Sequence, residues 1–168
     1  MLIDPELPDD ADEIRVLNNA AFGQGTEGAI VDALRSASSL TISLVARIGD
    51  VVVGHAAFSP VATESPGALV LGLGPVAVIP SEQRRGIGTA LVRAGIERVR
   101  EAGWHGVVVL GHPEYYPRFG FVPASRFGIR CEYDVPDDVF MALELRTDGL
   151  RNCAGLARYH AAFALAAP

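Results

Sequence analysis

The chain has 168 residues, the size of one domain with room for a packed core that needs no metal or disulfide staple. Hydrophobic residues make up 49% and charged residues 20%, which excludes wholesale disorder, and the apolar runs, such as Ala68 to Val78, are broken by Gly and Pro well short of the ~20 residues that cross a bilayer. A net charge of −6, with no Lys and all fourteen basic side chains Arg, excludes the clustered positive charge on which sequence-independent nucleic-acid binding depends.

The first six residues carry no positive segment and no apolar segment of a secretory signal, so a cytoplasmic location is expected. Asp9 to Glu13 then open a helix whose apolar residues Ile14, Leu17, Ala20 and Ala21 recur at helical spacing, with acidic side chains at the positive end of its dipole. A second helical pattern, Ala29, Ile30, Ala33, Leu34 and Ala37, follows Thr26 and Glu27 and stops in the Ser-rich stretch Ser36 to Ser39. Two β-rich runs, Leu40 to Ile48 and Val51 to Val61, flank Gly49-Asp50 and should form an antiparallel hairpin.

Leu69 to Ile79 reads as a third long strand, yet Gly72, Gly74 and Pro75 lie inside it, which marks a bulge or a local loss of pairing. The helix Ile87 to Ala102 follows, stopped by Gly103, and Val107 to Leu110 is a short buried strand. Strand, turn, helix and strand in that order form a crossover unit with parallel strands. Beyond it come a turn or short helix at Pro113 to Phe119, a β-like stretch near Phe127 to Tyr133 and a strand Phe140 to Leu145. In the tail, Leu150, Ala154, Ala157, Ala161 and Leu165 fall at helical spacing and predict a weak amphipathic helix, docked on the domain or pairing two subunits as a homodimer.

The turn between the long strand and the following helix carries the chemistry. Amide groups at a helix start are unsatisfied, the dipole is positive there, and Gly86 and Gly88 allow an anion to approach the main chain. Arg84 and Arg85 add charge and a bidentate donor. A Walker loop is excluded because it needs Lys, and a dinucleotide fingerprint because Leu91 stands where its third glycine belongs. Cys131 and Cys153 have no CxxC or Cys/His spacing, which argues against zinc and suits a reducing compartment, although a disulfide between them stays open.

What remains, Gln83-Arg84-Arg85-Gly86-Ile87-Gly88, resembles the Q/R-x-x-G-x-G/A signature of the GNAT superfamily of N-acetyltransferases. Leu73 to Val78 resembles that family's bulged fourth strand, and Glu114 to Phe121 its second landmark, a Tyr four residues before a Gly-Phe pair. The resemblance implies an α/β fold with a mixed central sheet of about six to seven strands flanked by helices, its fourth strand splayed from the fifth. It covers residues 1–146 as one acetyltransferase domain and leaves 147–168 as a tail.

The family's chemistry implies acetyl-CoA as cofactor and an amine acceptor, with direct attack in a ternary complex. Carried onto this chain, Val76, Ala77 and Val78 would hold the pantetheine arm, and Gln83, Arg84, Arg85, Gly86, Ile87, Gly88 and Thr89 the pyrophosphate. Tyr116 occupies the position of the acid that protonates the leaving thiolate; its competing reading is a core aromatic beside Phe119 and Phe121, while Tyr115 is expected to pack. Glu27, Glu64, His55 and His112 are chemically able to serve as base; His112, directly after the Val107 to Gly111 strand, is nearest the expected site and is otherwise a turn residue. Cys131 could carry a covalent acetyl group, but without a fixed His partner an inert thiol is the stronger reading. The rival functions are a non-catalytic acyl-CoA-binding sensor or assembly module, and transfer of a longer acyl group or transfer to a protein N-terminus; the loop around Glu64 and the segment Pro123 to Asp138 are expected to shape the acceptor site, and neither carries a specificity motif.

Overall fold

The computed structural model describes residues 1–166. In chain order these form β1 (Leu2–Pro5), α1 (Ala11–Phe22), α2 (Thr26–Ser36), β2 (Ile42–Ile48), β3 (Val51–Val61), β4 (Val70–Val78), α3 (Ile87–Glu101), β5 (Gly106–Leu110), β6 (Val122–Pro123), β7 (Ile129–Cys131), β8 (Phe140–Glu144) and β9 (Gly155–Ala157). Seven strands make one mixed sheet in the order β1-β2-β3-β4-β5-β8-β6, with β4 and β5 parallel and all other neighbours antiparallel. The expected mixed α/β sheet is therefore present, with β1 and β6 added at its two edges.

Strand alternation sorts the core into two layers. Leu44, Ala46, Phe58, Leu71, Val107, Val109 and Met141 point to one face, where Leu91, Val92, Ile96 and Val99 of α3 cover them. Gly95 of α3 has the ring of buried Phe58 against its backbone, closer than any side chain there would allow. On the opposite face α1 and α2 bury Ile14, Leu17 and Val31 against Val45, Val52 and Ala77. Burying this apolar area at roughly 25 cal/mol per Å² is what holds both layers on the sheet.

The tail corrects the sequence expectation. Instead of one amphipathic helix, 147–166 forms a turn, the strand β9 paired in parallel with β7, and a short 3-10 helix Ala161–Ala166; the last two residues of the expected helix lie outside the described residues. Leu150, Cys153 and Ala157 are buried against Val70, Val108 and Ala142, on the face of the sheet opposite α3. Gly155 at φ 116 and the close approach of Glu64 to it explain why a helix fails there, whatever the spacing of the alanines. Both cysteines are free thiols.

Candidate active site

The glycines and proline inside β4 do break its pairing. On the β3 side Ala56 faces Val76 and Phe58 faces Leu73, so Gly74 and Pro75 together oppose the single residue Ala57. On the β5 side β4 pairs only from Val70 to Leu73, against Gly106 to Val109. Beyond Leu73 the two parallel strands part. Ile79 donates its amide to the Val53 carbonyl on β3 (3.0 Å), so by strand alternation the amides and carbonyls of Val76 and Val78 point away from β3, into the gap. The Val78 carbonyl accepts a hydrogen bond from Gln83 Nε2 at 3.0 Å, which ties the following loop to this edge.

That loop forms an anion cradle of about 370 Å³ lined by Val78, Gln83, Arg84, Gly86, Gly88 and Thr89 among others. Gly86 takes φ 83 and Arg84 φ 60, left-handed conformations that bend the chain sharply before α3 begins. No side chain caps the start of α3 and its first turn contains no acidic residue, so the amides of Ile87, Gly88 and Thr89 stay available to an anion. Arg85 is exposed and holds Glu82 at 2.6 Å. Tyr115, expected only to pack, also walls this cradle. It packs edge-on against Tyr116 and Phe119, its hydroxyl lies 3.1 Å from Thr89 Oγ1, and Arg118 stacks 4.2 Å above its ring.

A second cavity, about 380 Å³, opens on the other side of the splayed edge. Tyr116, His112, Gly74, Pro75 and Val76 line it. Tyr116 follows Gly111, whose missing side chain makes room for its ring, and packs edge-on against Phe121 at 5.8 Å between centroids. Burial pushes its phenol up to about 12, so it holds its proton throughout the neutral range. It is thus both a packed aromatic and a cavity wall. His112 is exposed and is one of the residues lining the cavity; its carbonyl accepts the amides of Tyr115 (3.0 Å) and Tyr116 (3.4 Å). Glu27 reaches the same cavity from α2.

The remaining candidates lie elsewhere. His55 is fully buried on β3, with Nδ1 3.2 Å from Asn18 Nδ2 and Nε2 2.8 Å from Ser43 Oγ, which in turn donates to Glu6. Burial drops its pKa to about 4 and keeps it neutral, so it ties strands to α1 rather than meeting solvent or substrate. Glu64 accepts the amide of Leu156 at 3.0 Å and anchors the tail. Burial raises the Cys131 thiol, the wrong direction for a nucleophile.

Tyr159, Phe163, Phe22 and Ile30 also line the second cavity, and sequence reasoning did not find them; Tyr133 lines it too, from within the segment 123–138 expected to shape the acceptor site. Tyr159 and Phe163 come from the tail, which was read as a helix and whose aromatics had no assigned place. The only available signal was a cluster of aromatic residues in a segment otherwise rich in Ala.

A bulged strand splayed from its parallel neighbour, with Gln-x-x-Gly-x-Gly closing onto the next helix, defines a GNAT-type acetyltransferase. Comparison with known proteins agrees, and the chain belongs to that family: the acetyltransferase (GNAT) domain matches residues 4–124. The uncharacterized N-acetyltransferase YhbS of Escherichia coli K12 is 35% identical over 164 residues, 97% of this chain and 98% of its own. A crystal structure of E. coli YhbS in complex with CoA superimposes with a TM-score of 0.93, covering 97% of this chain and 91% of the other. A GNAT family acetyltransferase from Brucella melitensis, solved in complex with acetyl-CoA, is 42% identical with a TM-score of 0.82 over 96% of this chain and 97% of its own. Among the described residues no helix is long and apolar enough to cross a membrane.

Proposed function

We propose that the chain binds acetyl-CoA along the splayed edge of β4 and transfers its acetyl group to an amine seated in the second cavity. One observation carries this reading: the anion cradle and the aromatic cavity meet at consecutive positions of that edge, Val78 lining the first and Val76 the second. The cofactor seen with the YhbS and Brucella proteins has the matching shape, a polyanionic end and a thin polar arm. The cradle fits the pyrophosphate by its uncapped amides at Ile87, Gly88 and Thr89, its open glycines and its arginines. The outward main-chain groups of Val76 and the amide of Val78 suit the amide-rich pantetheine arm, while the Val78 carbonyl is held by Gln83.

On the cavity side the residues fit roles in amine attack on a thioester. The outward amide of Val76 is a fixed donor for charge developing on the carbonyl oxygen, and a preorganised donor of this kind is most effective where charge appears. Tyr116, protonated through the neutral range, is the donor to the departing thiolate. His112 and Glu27 are the two cavity groups able to accept the proton of the attacking ammonium. Holding both reactants in one gap supplies the proximity term, and no covalent intermediate on the protein is needed.

The test is titration calorimetry with acetyl-CoA, followed by thiol release with a panel of amines and peptides. Acetyl-CoA binding with amine-dependent thiol release supports the reading. Absence of binding overturns it, and binding without turnover on any amine favours a sensor of acyl-CoA.

A further inference from the structure

The second cavity is more specific than an opening for any amine. Aromatic rings from three separated parts of the chain converge on it: Phe22 at the end of α1, Tyr133 after β7, and Tyr159 with Phe163 after β9. Tyr159 stacks with Tyr133 at 6.3 Å and meets Phe163 at 5.2 Å, and its ring occupies the space left open by Gly72 on β4. The 3-10 helix carrying Phe163 packs on α2 through Ala162, Ile30 and Leu34, which fixes this wall to the helix bearing Glu27.

Charge on the lining is one-sided. Among the described residues Glu27 is the one carboxylate of the lining and no arginine lines it, although the chain has fourteen. A cationic amine therefore gains from Glu27 and from the faces of the rings. A substrate carboxylate would be desolvated beside Glu27 with no guanidinium to pair it. The Tyr159 hydroxyl is out of solvent and has no hydrogen-bond partner among the described residues, so this residue offers the cavity its ring and no accessible polar group.

We infer that the acceptor is a primary amine on a compact aromatic body without a carboxylate, and that the segment 155–166 supplies the wall that selects it. The inference rests on the amine-acetylation reading above and narrows it to a substrate class. A polyamine leaves the aromatic wall unfilled, and an amino acid brings the unpaired carboxylate.

The experiment measures binding of tyramine, L-tyrosine and spermidine to the protein saturated with CoA, by calorimetry. Tyramine should bind at least tenfold tighter than either of the others. Glu27→Gln should weaken tyramine at least fivefold and shrink its advantage over L-tyrosine. Tyr159→Phe keeps the ring and should leave tyramine affinity within twofold and Tm unchanged or higher, because only an unsatisfied buried hydroxyl has been removed, whereas Tyr159→Ala should weaken tyramine at least threefold. Equal or tighter binding of spermidine or L-tyrosine overturns the inference, as does a Glu27→Gln protein that binds tyramine unchanged. Thiol release from acetyl-CoA with tyramine separates the two levels: selective binding without release supports the site's preference and removes the transfer reading.

Discussion

Replacing Tyr116 with Phe removes one oxygen and leaves the ring in place. The edge-on packing against Phe121 at 5.8 Å should survive, so the variant is expected to fold with an unchanged Tm and to bind acetyl-CoA with the same affinity. If the phenol is the proton donor, kcat should fall by about 10²- to 10⁴-fold, equivalent to ~3–5 kcal/mol of barrier. The buried environment adds a sharper expectation. With the phenol pushed up to about 12, nearly all of Tyr116 keeps its proton at pH 10, against about half for a tyrosine at its ordinary ~10. The wild-type kcat, followed by thiol release at saturating acetyl-CoA and amine from pH 7 to 10, should therefore show no loss with a midpoint near 10. A Phe variant within a few-fold of wild type removes Tyr116 from the reaction. A wild-type decline centred near 10 that the variant lacks contradicts its burial.

Three further outcomes follow from named residues. His55 is neutral in the fold at about 4 but titrates near 6.5 once unfolded, so below pH 6.5 the unfolded chain binds the extra proton. Its stabilising contribution is complete above pH 6.5 and is lost as pH falls to about 4, worth about 3 kcal/mol in urea unfolding and absent in a His55→Gln protein; a flat profile refutes the buried neutral assignment. Gly86→Ala meets no atom within 4 Å but must hold φ 83, which should cost about 1–2 kcal/mol in unfolding and weaken acetyl-CoA binding; unchanged affinity would remove the loop's conformation from recognition. Gly95→Ala pushes into the Phe58 ring, and neither residue lines either cavity; it should lower stability by about 1–3 kcal/mol with cofactor affinity retained, measured by unfolding and calorimetry, and an unaffected stability would mean that α3 is not packed this tightly.

Much of this architecture was legible in residue patterns. Period 3.6 in α1, α2 and α3 and the Gly49-Asp50 hairpin set most elements, because each buries one face against a continuous core. Gly74-Pro75 gave away the bulge, since such residues are tolerated inside a sheet only where pairing fails. β1 and β6 were missed: four and two residues are too short for a periodic signal. The tail was misread because alanines at helical spacing describe a burial pattern without fixing the backbone. Contacts distant in sequence, Glu64 to Leu156 and Ile129 to Gly155, hold it extended instead. The same long-range contacts bring Tyr159 and Phe163 to the cavity, so the donor side was readable from one local motif while the acceptor side was not.

The most direct test incubates the protein with acetyl-CoA and tyramine and follows all three species by mass spectrometry. One free CoA should appear for each acetylated amine, and the protein mass should stay unchanged throughout. CoA release without acetylated amine, or accumulation of an acetylated chain that later transfers its acetyl group, would contradict direct attack at the splayed edge of β4.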